Sequence, residues 1–267
     1  MPPDALDASD ALGGPDALGA SDALGAFDVL GAIDAVNWSE IPRPTRHACD
    51  EPERVGQALR QLALSTTANR TGDAAALLAG GGFVCAHAGM VFPAACAAAP
   101  ILLDLVEHGP RPRVKSAALG LLSEALDCLP AAGHNRVDTP YGTDVPLCCA
   151  VARHIRSRRE ALLAHGRGGG RLLTEADRHW RLIIEETEPQ ADGTLIALAV
   201  LEGSLQDTPV AAEVHPSSPA RPAPTSVIES LTVDATGAAC VRLGAAPLEG
   251  VPPGSVLHPA ECGLREH

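Results

Sequence analysis

Residues able to do chemistry fall in a few separate places along the chain. His179, Glu185 and Glu186 sit beside Trp180 in one helical pattern, and an imidazole with carboxylates is a set for acid–base work. The same pattern also fits a Trp in the core with a His at its margin. Cys149 and His154 have the types of a nucleophile and its base, although an Arg-rich solvated face accounts for His154 equally well. His258, Cys262 and His267, with Cys240, are Zn²⁺-ligand types, but their spacing is irregular and one of them is the last residue. Gly166-Arg-Gly-Gly-Gly170-Arg171, ahead of a helix, has the composition of an anion cradle. A helix precedes it where a dinucleotide fold or a P-loop needs a strand, so it reads as an interhelical loop. No G-x-S-x-G, H-E-x-x-H or D-x-D-x-D-G pattern occurs. No cofactor or metal is expected on this reading.

Trp38, His87, Gly89, Phe92 and Tyr141 are the candidate binding residues. Trp38 anchors the segment that enters the folded body. His87-x-Gly89 leads into Phe92-Pro93, where Gly fits a tight turn and Phe fits either packing or a partner.

The elements that position these residues must be built from small side chains. Hydrophobic residues make up 46% of the 267 residues, yet aromatic residues only 2%, so Ala, Leu and Val supply the core. Small side chains let helices approach closely. Lys115 is the single lysine among twenty basic residues; with abundant Ala, Gly and Pro this is the composition of a GC-rich bacterial coding sequence. The net charge of −13 repels a phosphate backbone, which disfavours nucleic-acid binding. The eight cysteines are dispersed, with no C-x-x-C pair, and no basic-then-apolar leader opens the chain. Buried thiols in a reducing cytoplasm are the expectation. The longest apolar run, Met90 to Leu103, is short for a bilayer and holds Pro93 and Pro100, so no membrane span is expected.

From Asp4 to Val36 an Asp recurs every six residues, with Leu two positions on and Gly in phase. A left-handed β-helix takes three such units per coil, so six units would make only two coils, too few for a core. Gly in each unit opposes a helix. A disordered acidic tail is predicted over residues 1–36. Asp50 with Glu53 and Pro52 marks a helix start, with Val55, Leu59 and Leu62 on one face. Further helices are predicted up to Pro100, from Pro100 to His108, over Val114–Leu129 with a clean i, i+3, i+4, i+7 stripe, over Leu147–His165, over Leu172–Glu186 and over Thr194–Leu205. Residues 131–146 read as a loop. Five prolines mark a linker over residues 209–225, and Ser226 to Leu243 reads as a hairpin turning at Asp234–Gly237.

The central block, His87-x-Gly89, Phe92-Pro93-Ala94-Ala95, Pro100-Ile101-Leu102-Leu103 and the helix Val114–Leu129, resembles the HEAT-repeat-like helical proteins of bacteria. The resemblance covers residues 50–130. It implies paired helices stacked into an α-solenoid with an extended binding surface. The fold class expected is therefore mainly α: an irregular stacked-helix domain over residues 37–208, with a small β extension over 226–267. The function expected is a non-enzymatic, cytoplasmic scaffold that binds another protein through helix faces, in a protective or regulatory role. A metal-dependent or acid–base enzyme using His179 and Glu185, or the C-terminal Cys/His group, is the alternative.

Overall fold

The computed structural model describes residues 29–43, 51–216, 223–244 and 251–267. Its first half is helical. Residues 29–35 form α1, followed by a single 3₁₀ turn at Trp38–Glu40. Then come α2 (Pro52–Ala63), α3 (Ala68–Ala79), α4 (Ala94–His108), α5 (Pro112–Asp127), α6 (Leu147–Ser157), α7 (Arg159–Ala164) and α8 (Gly166–Asp177). Each starts where local chemistry allows. Pro52 and Pro112 occupy first-turn positions that need no N–H, and the Thr67 hydroxyl accepts from the Arg70 amide at 3.3 Å to cap α3. The predicted stripe of α5 is the buried one: Val114, Ala118, Leu121, Leu122, Ala125 and Leu126 face inward. Helices pair as α2 with α3, α4 with α5, and α6 with α8, and the pairs lie against one another around one core.

The second half overturns the mainly-α expectation. β6 (Arg181–Pro189), β7 (Leu195–Glu202), β8 (Val210–His215), β9 (Thr225–Val233), β10 (Ala238–Leu243) and β11 (Val256–Pro259) close into a six-stranded barrel, and α9 (Ala260–Leu264) follows. The strand order is β10-β7-β6-β11-β8-β9, antiparallel throughout. The described residues are thus 45% helix and 26% strand, not an α-solenoid. Leu182, Ile184, Ala197, Ala199, Ala212, Val214, Val241 and Leu257 fill the barrel. Closure leaves no free edge in this sheet.

Several expectations are corrected by this barrel. The helix predicted over Leu172–Glu186 ends at Asp177, and the one predicted over Thr194–Leu205 is β7. In β7 Leu195, Ala197 and Ala199 point inward, but Ile196 and Leu198 between them are also apolar, so the two-residue period is hidden. Part of the expected linker is β8: Pro209 stands just before the strand, where a missing N–H costs no ladder bond. Residues 217–222 lie outside the described residues. The predicted C-terminal hairpin is real as β9 with β10, but it is one third of a barrel and not an extension.

The helical half differs in detail too. Of the acidic repeat, residues 1–28 lie outside the described residues, whereas 29–35 are helical instead of disordered. Val29 and Ile33, one helical turn apart, are buried in the main core there. α4 runs through Pro100 without a break, and the predicted long helix from Leu147 splits at Arg158. Short strands β1 (Val84–Cys85), β2 (Met90–Val91) and β3 (Leu129–Pro130) pair where helix was expected. The predicted loop over 131–146 holds a hairpin, β4 (Arg136–Thr139) with β5 (Gly142–Pro146). Among the described residues no helix is long and apolar enough to cross a membrane.

Helical body and barrel meet along the outer wall of β6, β11 and β8. Leu182, Leu257 and Val214 point into the barrel, so their neighbours Arg181, His258 and Glu213 point out of it. All three are buried, because the helical body covers that wall. Arg136 on β4 donates from Nη2 to Glu213 Oε1 at 2.6 Å and from Nη1 to Oε2 at 3.0 Å. Asn135 donates to the Gly263 carbonyl at 2.6 Å. Gly263 has to be glycine, because a Cβ there would overlap both the Glu213 carboxylate and the Arg136 guanidinium.

Candidate functional site

Two features of the described residues could carry function. One is a cluster in the seam between helical body and barrel. Cys148 and Cys149 occupy the first turn of α6, His179 sits in the turn between α8 and β6, and Cys262 lies on α9. Their donor atoms all lie within 4.8 Å of one another, and all four residues are buried. His179 Nδ1 is 3.3 Å from Cys262 Sγ. The surroundings hold the backbone of this cluster in place. Arg156 Nη1 donates to the carbonyls of Ala176 and His179, at 2.6 and 3.0 Å, which pins the turn carrying His179. Asn135 pins α9, and the Leu147 amide donates to the Asn135 carbonyl at 2.8 Å at the start of α6.

The sulfur atoms share charge unequally. Hydrogen bonds from Cys149, Cys262 and His179 hold the Cys148 thiol well below its ordinary value, against the effect of burial. Burial, then proton sharing with Cys148, pushes Cys149 well up, and sharing with Cys148 does the same for Cys262. A thiol held protonated is a poor nucleophile. His154, the base considered for Cys149, has its ring edge-on against Tyr141 at 6.3 Å.

The second feature is a groove of about 800 Å³ between the 3₁₀ turn, the start of α4 and the β4–β5 hairpin. Val36, Ile41, Pro93, Ala97 and Pro100 give it an apolar side, and residues 133–139 form the opposite wall. β4 pairs only with β5, so its other edge is open among the described residues. Glu40 and Asp138 stand exposed at its rim.

The chain matches no protein-family model and no curated protein. The two sites stand on their own geometry.

The structure regroups the residues singled out from sequence. His179 and Cys262, assigned above to different candidate sites, come together, while Cys148, never singled out, completes the set with Cys149. Glu185 is exposed on β6 and has no place at that cluster. Of the other C-terminal candidates, Cys240 is exposed on β10, His267 is exposed at the chain end, and His258 sits across from His215 with ring centres 5.2 Å apart. The glycines of the predicted Gly-rich loop form the start of α8. A Cβ on Gly169 would overlap the Leu162 carbonyl, so they let α7 and α8 approach closely. Among the binding candidates, Phe92 is only 1% exposed and packs with Cys85 and Ala131, so its ring offers no surface. Trp38 donates from Nε1 to the Ile33 carbonyl at 3.1 Å and lies on Gly56 of α2. The hydroxyl of Tyr141 donates to the Ala150 carbonyl at 3.3 Å under the Arg153 guanidinium. Gly89 has a φ of +66° in the turn between β1 and β2, and His87 is exposed beside it.

Sequence reasoning missed the groove because its walls come from three separate segments. It missed Cys148 because adjacent cysteines match no metal-ligand spacing.

Proposed function

We propose that the protein binds another polypeptide, without catalysing a reaction, by taking an extended segment against the open edge of β4. The observation that carries this reading is the groove: β4, with one edge open among the described residues, lines the same space of about 800 Å³ as the apolar residues Val36, Ile41, Pro93, Ala97 and Pro100. Main-chain hydrogen bonds along such an edge supply affinity, and the facing pockets select alternate side chains. The segment that fits is apolar where it meets Ile41, Ala97 and Pro100, and basic where it passes Glu40 and Asp138. The net charge of −13 favours a basic partner at long range. Holding a partner in this way suits a protective or regulatory role.

Panning random linear peptides on the full chain tests the proposal. Enriched peptides should combine apolar residues with Lys or Arg. Their binding should weaken at least ~10-fold, about 1.4 kcal/mol, on Ala97→Glu, which puts a charge on the apolar wall. Glu40→Lys with Asp138→Lys should shift selection away from basic peptides. No enrichment, or peptides that bind Ala97→Glu equally well, overturns the reading.

A further inference from the structure

We propose that Cys148, Cys149, His179 and Cys262 form a closed tetrahedral Zn²⁺ site that fastens the barrel to the helical body. Zinc with three thiolates and one imidazole has Zn–S distances of about 2.3 Å and Zn–N of about 2.0 Å. In a tetrahedron these put sulfur atoms roughly 3.8 Å apart and nitrogen roughly 3.5 Å from sulfur. The four donors here already lie within 4.8 Å of each other, with His179 Nδ1 3.3 Å from Cys262 Sγ. Closing the shell therefore asks for side-chain adjustments of about an ångström or less.

Three arguments favour an ion over thiols that merely fill space. First, the donors come from three separate elements, and packing alone gives no reason to gather three sulfurs and a ring nitrogen at one point. Soft thiolates with an imidazole in four-fold arrangement are the donor set zinc prefers. Second, Cys148 and Cys149 lie in the first turn of α6, where free N–H groups and the helix dipole favour negative charge. Third, Arg156 stands where negative charge on Cys149 stabilises its guanidinium, along with the charges of Glu202 and Asp177. Its Nη1 is engaged by carbonyls, but Nε and Nη2 are buried with no hydrogen-bond partner. Zinc with three thiolates carries a net charge of −1, and Arg156 beside it balances that charge. As the ion binds, the protons remaining on the thiols leave to solvent, so all three sulfurs bond the metal.

The site is structural and not catalytic. Four protein ligands leave no position for water or substrate, and none of the four residues is more than 8% exposed. What the ion joins is distant in sequence: Cys262 lies 83 residues beyond His179, with the whole barrel between them.

The test uses the full chain, produced in zinc-supplemented medium and refolded with and without zinc. Elemental analysis should find about one zinc per chain. Exchange for cobalt should give thiolate-to-cobalt charge-transfer absorption and the strong visible bands of tetrahedral cobalt. Removing the ion should lower the thermal midpoint by roughly 10 °C, the shift for a ligand at about a thousand times its dissociation constant. Cys262→Ser and His179→Ala should lose the zinc and the cobalt spectrum, whereas Cys240→Ser, exposed on β10, should keep both. If those variants fail to fold, X-ray absorption at the zinc edge of the unmutated protein decides, with three sulfurs and one nitrogen expected. The proposal fails if folded protein takes up no zinc, if Cys262→Ser binds it unchanged, if the shell is rich in oxygen, or if Cys262 is disulfide-bonded to Cys148 or Cys149.

Discussion

The Arg136–Glu213 pair lets the docking of barrel on helical body be measured. Arg136 belongs to β4 of the helical body and Glu213 to β8 of the barrel. The two meet through two parallel hydrogen bonds, with side-chain exposures of 25% and 6%. Removing one member of a fully buried pair costs roughly 3–5 kcal/mol, mostly because a charge is left without a partner. Here Glu213→Ala leaves Arg136 partly solvated, with the Asp144 carbonyl at 3.1 Å, the Gly263 carbonyl at 3.4 Å and the Asp144 carboxylate at 3.8 Å. That lowers the expected loss to about 2–3 kcal/mol. The exposed pair Arg242–Glu229, 42% exposed on both sides, lies wholly on the barrel and is the internal control, worth at most about 1 kcal/mol. Urea unfolding of Glu213→Ala, Arg136→Met and the double variant gives the coupling energy, which should be about 2 kcal/mol and at least twice that of the control pair.

Acidification should show the same pair. Burial raises the Glu213 carboxyl, but hydrogen bonds from His215 and Arg136 outweigh it and hold the group below its ordinary value of 4.5. Its contribution is therefore intact above pH 4.5 and is lost as the pH falls through the lower folded-state value; Glu213→Gln should flatten that part of the stability curve. A coupling no larger than that of Arg242–Glu229, or an unchanged acid limb, would refute the idea that this pair holds the two halves together.

Two further predictions follow from burial. Phe92→Ala should cost about 3–5 kcal/mol in urea unfolding, because the ring is enclosed, while His87→Ala, exposed five residues earlier, should stay within about 0.5 kcal/mol. Tyr141 is the single tyrosine, and burial, helped by nearby Cys96, pushes its phenol up to about 12 against the attraction of Arg153 and Arg181. Tyrosinate absorbance should titrate near 12 in native protein and near 10 in urea. Stability should then fall as pH rises from 10 toward 12, by up to about 1.4 kcal/mol per unit, and Tyr141→Phe should remove that slope.

By itself, the sequence determined the helices whose burial pattern is written in their own residues. The α5 stripe from Val114 to Leu126, the start of α2 at Pro52 and the turn at Asp234–Gly237 rest on contacts within a few positions, so periodicity and turn chemistry suffice. Only the tertiary structure decided that residues 181–259 close into a barrel. β7 is apolar on both faces, with Leu195, Ala197 and Ala199 filling the barrel and Ile196, Leu198 and Val200 outside it, and Leu182, Ile183 and Ile184 give β6 an unbroken apolar run, so neither shows a period of two. The candidate sites were illegible for a related reason. Cys148, Cys149 and His179 come from the helical body and Cys262 from α9, beyond the whole barrel in sequence, and the groove forms where residues 36–42, α4 and β4 converge. Side chains that meet across long stretches of chain carry no spacing rule, so their chemistry is set by how the two halves of the fold pack together.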